Sequence, residues 1–383
     1  MKYILFVDSN KVAEEVFKQI GDNVEMIYNL ETWIENYPSD VLPESISIPN
    51  IERFSQSGGG ADCQAIIAID TNKRKGNNRH FYFRLSMLIA EILKRNGVDF
   101  LFFPKYSKFI RIKGKSFNPI IVRPASDFMN RTVATLGLLH ETILTFPNEF
   151  KDKELDIWIA IFADDSLLSL QLAEALDIPY VFSYFSTYSM KNRVIAIPDY
   201  DTCYNEETFS DKSRTFSKCQ EIATTSWQYN KIFWRGTLQF SFSRRCLFEL
   251  GKKYPEYLQI EDSARGNFVP MIEQAKYKYL IDTRGVAWSS RLQTLLQLGR
   301  VVFIADRPFR EWYFDRMIPM VHYVPVKEDM SDLIEKYFYM ERHPELYDKI
   351  VRNLAEFVEE NLNPRRILFD TKELLLKYGV VQK

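Results

Sequence analysis

The chain has little of what marks several common functional classes. Its four cysteines, Cys63, Cys203, Cys219 and Cys246, lie far apart and form no CxxC pair. That excludes a zinc ribbon and a disulfide framework and leaves reduced thiols as the simple reading. The four histidines, His80, His140, His322 and His343, form neither HExxH nor an HxH pair, so the spacing of a zinc enzyme is missing. Charge of one sign is scarce as well. Lys and Arg number 50 against 51 for Asp and Glu, so no global basic field draws the chain to nucleic acid, and any anion site must be local. No run approaches the about 18 apolar residues that span a bilayer. The apolar run at residues 3–7 is too short for the core of a signal peptide and reads as a first strand. The GxSxG elbow and the GxGxxG fingerprint are absent, which counts against hydrolases and nicotinamide enzymes. Internal repeats, low-complexity tracts and coiled-coil heptads are absent too.

What is present is enough apolar sequence for two cores, since 383 residues exceed a usual single core. Strand-like stretches at 3–7, 65–69, 100–103 and 157–162 alternate with helix-like ones at 12–20, 81–93 and 132–144, which predicts a layered α/β domain. Residues 56–61, with three glycines, and the polar run 71–79 read as loops. A stretch dense in turn formers and acids at 196–207 separates the halves, giving an N-terminal domain over 1–200 and a C-terminal domain over 201–383. The second half runs from a strand at 231–234 through a helix at 245–254 to a strand at 322–326. Ser331 then opens a mostly helical tail, as capping favours. A ligand is expected in the cleft between the halves, outside the carboxyl ends of the strands. Aromatics are plentiful, with 29 Phe, 21 Tyr and 6 Trp. Rings of this kind fill cores and also stack on sugar C–H groups.

The densest chemistry lies in Lys278-Tyr-Leu-Ile-Asp-Thr-Arg-Gly-Val-Ala-Trp-Ser-Ser-Arg291 and the residues up to Ile304. The order is strand, glycine loop, helix and second strand. Leu292, Leu295, Leu296 and Leu298 fall at helical spacing, and Gly299 stops the helix. A helix start there presents unpaired amides and a positive dipole end, with Ser289, Ser290 and Arg291 adding donors suited to phosphate oxygens. Phe233-Trp-Arg-Gly-Thr237 repeats that logic, placing Arg235, Gly236 and Thr237 after a short apolar strand, with Arg244 and Arg245 close behind. Together with Arg284 and Arg291, this is the set expected to hold a diphosphate without a metal. Asp199-Tyr-Asp201 spells DxD but sits in a Pro-containing stretch rather than after a hydrophobic strand. For a general base, Asp164-Asp165 ends the strand at 157–162 and opens onto the cleft; one of the two can instead cap a following helix at 166–176.

The segment Lys276-Tyr-Lys-Tyr-Leu-Ile-Asp-Thr-Arg-Gly-Val-Ala-Trp-Ser-Ser-Arg291 resembles glycosyltransferase family 90. Leu298-Gly-Arg-Val-Val-Phe303, Met320-Val-His-Tyr-Val-Pro-Val-Lys327, Phe233-Trp-Arg-Gly-Thr237, Pro179-Tyr-Val-Phe-Ser183, Ile197-Pro-Asp199 and Leu155-Asp-Ile-Trp-Ile-Ala-Ile-Phe-Ala-Asp-Asp165 carry the resemblance further, over residues 112–376. That family includes protein O-glucosyl- and xylosyltransferases, fungal capsule xylosyltransferases and bacterial lipopolysaccharide-modifying transferases. The resemblance implies an α/β fold of GT-B type, two Rossmann-like domains facing across a cleft, with C-terminal helices. It implies inverting, metal-independent transfer of a glucose- or xylose-type sugar from a UDP-sugar, with no cofactor beyond that donor. It assigns donor binding to Thr237, Arg244, Val286, Ala287, Trp288, Ser289, Ser290 and Arg291, beside Arg235, Arg284 and Gly285 of the arginine and glycine set, and the catalytic base to Asp165. Three departures stand out: Thr237 where Ser or Ala is usual, Asp164 where an Arg usually precedes the base, and Trp288 in place of a small residue. The secretory signal and retention tail of animal members are absent. The expectation is therefore a bacterial cytoplasmic enzyme, in peripheral contact with the inner face of the membrane, acting on a glycan or lipid-linked glycan such as lipopolysaccharide or capsule. A saccharide-binding or assembly protein that kept the fold without the chemistry is the alternative. An epimerase or phosphorylase would need a nicotinamide or pyridoxal cofactor, for which no motif is present.

Overall fold

The computed structural model of the chain describes residues 2–20, 24–36, 63–69, 75, 81–96, 98, 100–102, 109–114, 127–160, 173–174, 176–190, 192–199, 215–265 and 269–381. Asp164, Asp165, the helix expected at 166–176 apart from a few residues, the glycine loop at 56–61, Tyr200 and Asp201 lie outside the described residues.

Three sheets organise the described chain. Strands β1 (Lys2–Val7), β2 (Val24–Asn29), β3 (Cys63–Ala68) and β4 (Phe100–Phe102) pair in parallel in the order β2-β1-β3-β4. Strands β5 (Phe109–Gly114), β6 (Leu155–Ala160), β7 (Val181–Ser183) and β8 (Val194–Ala196) form a second sheet in sequence order, antiparallel only at β5–β6. One core serves both, because Phe6, Ala65 and Phe100 of the first sheet pack in one cluster with Trp158, Ala160 and Val181 of the second. Strands β9 (Tyr229–Gly236), β10 (Leu258–Asp262), β11 (Tyr277–Asp282), β12 (Val301–Ala305) and β13 (Val324–Val326) make the third sheet, all parallel, in the order β10-β9-β11-β12-β13. Two α/β parts built on mainly parallel sheets meet the expectation of the α/β, GT-B class.

The third sheet is apolar on both faces, as a parallel sheet covered by helices must be. Phe233, Leu280, Val302 and Ile304 face Leu292, Leu295 and the helix Pro344–Asn361 through Leu354 and Phe357. Their neighbours Ile232, Trp234, Tyr279, Ile281 and Phe303 face the opposite way, onto Leu247 of the helix Phe242–Lys253 and Leu333 of the helix Leu333–Arg342. Burying each such side chain is worth about 1.5–3 kcal/mol. The strand order reverses between β9 and β11, and in open α/β sheets the crevice that takes a ligand lies at the carboxyl ends of the strands at such a reversal.

Two local expectations change. The helix after the glycine loop is only Leu292–Leu296. Dipole strength builds from aligned peptides, so one turn supplies little of the anion attraction expected at its start. Side chains hold the preceding loop irregular, and Gly299, at φ 66°, turns the chain where a Cβ would collide with the Ala223 carbonyl oxygen. Ser331 does not cap the next helix: its amide donates to Asp329, and Asp332 occupies the cap position with no side-chain cap bond. The last helix, Pro364–Tyr378, is capped by Asn363, whose side chain accepts from the Arg366 amide. It packs on the helix Asp127–Thr145, and Leu375 enters the core of the second sheet. Gly379 and Val381 then hydrogen-bond beside β6, at Asp156 and Glu154. Among the described residues no helix is long and apolar enough to cross a membrane.

Candidate nucleotide site

The crevice at the β9–β11 reversal collects most of the sequence-predicted donor residues. Ser241 caps the helix Phe242–Lys253 through the Arg244 amide and donates its hydroxyl to the Arg284 carbonyl at 3.1 Å. One residue thus fixes the start of that helix and the end of the β11 loop. The Arg244 side chain, 9% exposed, crosses the same gap: Nε donates to the Arg284 carbonyl at 3.0 Å and a terminal nitrogen to the Thr237 carbonyl at 2.9 Å. Its guanidinium lies over the rings of Trp234 and Phe240. Among the described residues no carboxylate forms an ion pair with it. Burial, followed by the like charge of Arg291, lowers its pKa to about 10. The result is a largely desolvated cation whose hydrogen-bond partners are backbone carbonyls, an arrangement that favours an arriving anion.

The neighbouring arginines are already neutralised. Arg235 pairs with Glu261 at 2.5 Å, and Arg284 with Glu328 at 3.1 Å while also donating to the Val286 carbonyl at 3.0 Å. Arg291 donates to Asp282 at 3.2 Å and to the Arg235 carbonyl. Arg245 is exposed on the helix surface. Among the described residues the cluster expected from sequence therefore divides into Arg244, buried without a carboxylate ion pair, the exposed Arg245, and Arg235, Arg284 and Arg291, which brace the loops.

Asp282 is the hub of this network and is absent from the sequence-predicted set. It is fully buried; one oxygen accepts from the Ser289 hydroxyl at 2.6 Å and from Arg291, and the other from Arg307 at 2.5 Å. Arg307 reaches on to Glu311 at 3.3 Å. Burial pushes the Glu311 carboxyl above its usual range despite Arg307 beside it. An Asp closing a buried apolar strand is the signal that could have found it, the same one that singles out Asp164 and Asp165. This network gives the loop between Gly285 and Arg291 its shape. The Gly285 amide donates back to the Trp288 carbonyl at 3.0 Å, and a Cβ on Gly285 would lie 3.2 Å from that oxygen and 3.7 Å from an Arg244 nitrogen. Val286 is exposed at the loop tip, Ser290 is half-buried, and the Thr237 hydroxyl sits 3.1 Å from that of Ser263.

Ala287 and Trp288 leave the crevice altogether. Both are buried in the core of the second sheet, where Trp288 stacks on Phe185 with centroids 5.0 Å apart. The indole N–H donates to Asp199 at 3.0 Å. Asp199, the first acid of the DxD spelling, is thus buried and engaged by a tryptophan. Among the described residues no group of three or more His, Cys, Asp or Glu is placed to hold a metal ion. Asp165 lies outside the described residues.

A profile described as Glycosyl transferase family 90 matches residues 125–383. Protein O-glucosyltransferase 2 of Danio rerio is 28% identical over 300 residues, covering 68% of this chain and 59% of the relative. Protein O-glucosyltransferase 1 of Rattus norvegicus is 34% identical over 111 residues, covering 29% of this chain and 28% of the relative. The chain thus spans less than two thirds of the length of either. The solved structure of Anabaena HepE in complex with UDP-glucose aligns over 98% of this chain and 100% of its own, at 11% identity and a TM-score of 0.38. With two thirds of its length matched by the family profile, and with the arginine-flanked glycine loop of the third sheet inside that match, the chain belongs to glycosyl transferase family 90.

Proposed function

We propose that the chain transfers a sugar of glucose or xylose type from a UDP-sugar to a saccharide acceptor, with inversion and without a metal or other cofactor. The observation that carries this reading is Arg244, a buried guanidinium held by backbone carbonyls and uncompensated by carboxylate among the described residues, at the reversal point of the third sheet. A diphosphate supplies the missing negative charge, and that charge grows as the glycosidic bond to the leaving group breaks. A cation already fixed in place then stabilises the transition state more than the ground state. Family membership and protein O-glucosyltransferase relatives support the sugar donor. Asp165 is the proposed base, taking the proton from the acceptor hydroxyl as its oxygen attacks the anomeric carbon and UDP leaves from the opposite face. A lipopolysaccharide or capsule acceptor at the cytoplasmic face of the membrane belongs to the same proposal.

The test is UDP release and product formation from UDP-glucose and UDP-xylose over a panel of saccharide acceptors, with a chelator present. Product anomers are assigned by NMR. An inverted product, with Asp165→Asn slower by about 10²–10⁴-fold, supports the reading. A retained product, a metal requirement, or an Asp165→Asn variant at full speed sinks the corresponding part. Binding of UDP-sugar with no transfer on any acceptor favours the non-catalytic alternative.

A further inference from the structure

Among the described residues, one of the contacts between the two α/β parts is made by the Gly285–Arg291 loop itself. Trp288 lies in the middle of the Gly285–Arg291 loop, yet its indole is only 5% exposed and sits among residues that follow β7. It stacks on Phe185 at 25° between planes and tilts against Tyr184 at 5.6 Å. Phe185 also meets Phe309 edge-on at 5.5 Å. Beside that packing, Ser186 and Arg310 exchange two backbone hydrogen bonds, of 2.9 and 2.8 Å, forming an isolated bridge between the segments after β7 and β12. The indole N–H bond to Asp199, three residues past β8, completes the junction.

The residues next to Trp288 are the ones that shape the crevice. Ser289 and Arg291 are clamped by Asp282, Asp282 is clamped by Arg307, and Arg307 lies three residues before Arg310 of the bridge. On the other side, the Trp288 carbonyl accepts from Gly285, and the Arg284 carbonyl accepts from Arg244. The loop is therefore fixed at one end by the proposed nucleotide-binding cation and in the middle by the other half of the molecule. The Arg244 guanidinium is held by the Thr237 and Arg284 carbonyls and the rings of Trp234 and Phe240, whereas the Trp288 indole is held by Phe185, Tyr184 and Asp199.

Resting on the transferase reading above, we infer that Trp288 and Asp199 are a positioning pair: they set the alignment of the nucleotide loop against the acceptor-side half, and so govern transfer rather than nucleotide affinity. Transfer demands that donor and acceptor be held in a narrow range of geometries, and small misplacements lower the rate without lowering affinity. Asp199 acts as a hydrogen-bond acceptor and not as a proton carrier.

Wild-type UDP binding and transfer are measured first, so that a failure of the transferase reading itself is seen separately. Trp288→Phe keeps an aromatic ring for the stack and deletes the N–H. It is expected to lower kcat for transfer about tenfold, the scale set by one buried hydrogen bond. The UDP dissociation constant, by calorimetry, should stay within about threefold, and the variant should still unfold cooperatively, its thermal midpoint lowered by no more than about 6–12 °C for the lost ring volume and buried hydrogen bond. Asp199→Asn keeps an oxygen acceptor and is expected to retain most transfer activity, whereas Asp199→Leu should match Trp288→Phe, and the double variant Trp288→Phe/Asp199→Leu should be no worse than either single one. If Trp288→Phe weakens UDP binding as much as it slows transfer, the pair belongs to the nucleotide site and the inference fails. If Asp199→Asn loses about 10²-fold or more with UDP affinity intact, Asp199 carries a proton or contacts substrate, which overturns the inference in the other direction. Unchanged transfer in Trp288→Phe overturns it as well.

Discussion

Replacing Arg244 by Met tests the central electrostatic feature, because stability and affinity should then part company. In the free protein the guanidinium costs energy: it is largely desolvated, has no carboxylate partner among the described residues, and its pKa is drawn down to about 10 by burial and Arg291. Methionine fills a similar volume without the charge. The Arg284 carbonyl keeps the Ser241 hydroxyl as a donor, so the Thr237 carbonyl is the group left short of one. An orphaned buried carbonyl costs about 1–3 kcal/mol, offset in part by removal of the buried cation. At about 2–4 °C per kcal/mol for a unit of this size, the thermal midpoint should therefore fall by no more than about 6–12 °C. Ligand binding loses a charge-assisted hydrogen bond of about 1.5–3 kcal/mol with no such offset, which is about 10- to 100-fold in the UDP dissociation constant. Arg244→Lys should fall between, since an ammonium keeps the charge but not the planar fork. Calorimetric titration with UDP, beside thermal unfolding of each variant, reads both quantities. A folded Arg244→Met protein that binds UDP within about twofold of wild type refutes the assignment.

The same group predicts a pH dependence. A bound diphosphate favours the charged guanidinium, so the Arg244 pKa is higher in the complex than its value of about 10 in the free protein. Affinity for UDP owes nothing to this group's titration well below that pH and falls as pH rises through about 10, with proton uptake on binding; calorimetry in two buffers of different ionisation enthalpy measures it. Asp282→Asn removes the charge that two guanidiniums share and should destabilise the fold by about 3–5 kcal/mol in denaturant unfolding, the cost of breaking a buried pair. A loss below about 1 kcal/mol would mean that Asp282 is not the hub. Gly299→Ala places a Cβ against the Ala223 carbonyl at a positive φ, so its thermal midpoint should drop while Gly137→Ala, in a helix with open space around it, does not lower it.

Much of the third sheet is legible in sequence because its strands are short apolar runs ended by charge or glycine. The segments at 231–234, 279–281 and 301–304 lie in β9, β11 and β12 for that reason. The helix after the glycine loop is shorter than its leucine spacing suggests. Leu292, Leu295, Leu296 and Leu298 are all buried, but one helical turn and the turn into Gly299 bury them without a longer helix. Strand β10 has a faint signal because Leu258–Asp262 carries only Leu258 and Ile260 as apolar side chains. At the site, residue types show that arginines gather near the glycine loop. They do not show which one stays uncompensated, because the carboxylates of Glu261, Glu328 and Asp282 are assigned only by folding. The partner of Trp288 lies 89 residues away, a contact that no local pattern encodes.

The most direct measurement on the proposed nucleotide site is a crystal structure of the chain with UDP-glucose, grown with a chelator present. The expected result is a diphosphate at the carboxyl ends of β9 and β11, with a phosphate oxygen in hydrogen-bond contact with Arg244 and no metal between them. UDP-glucose bound elsewhere on the chain, or bound in that crevice without contacting Arg244, would contradict it.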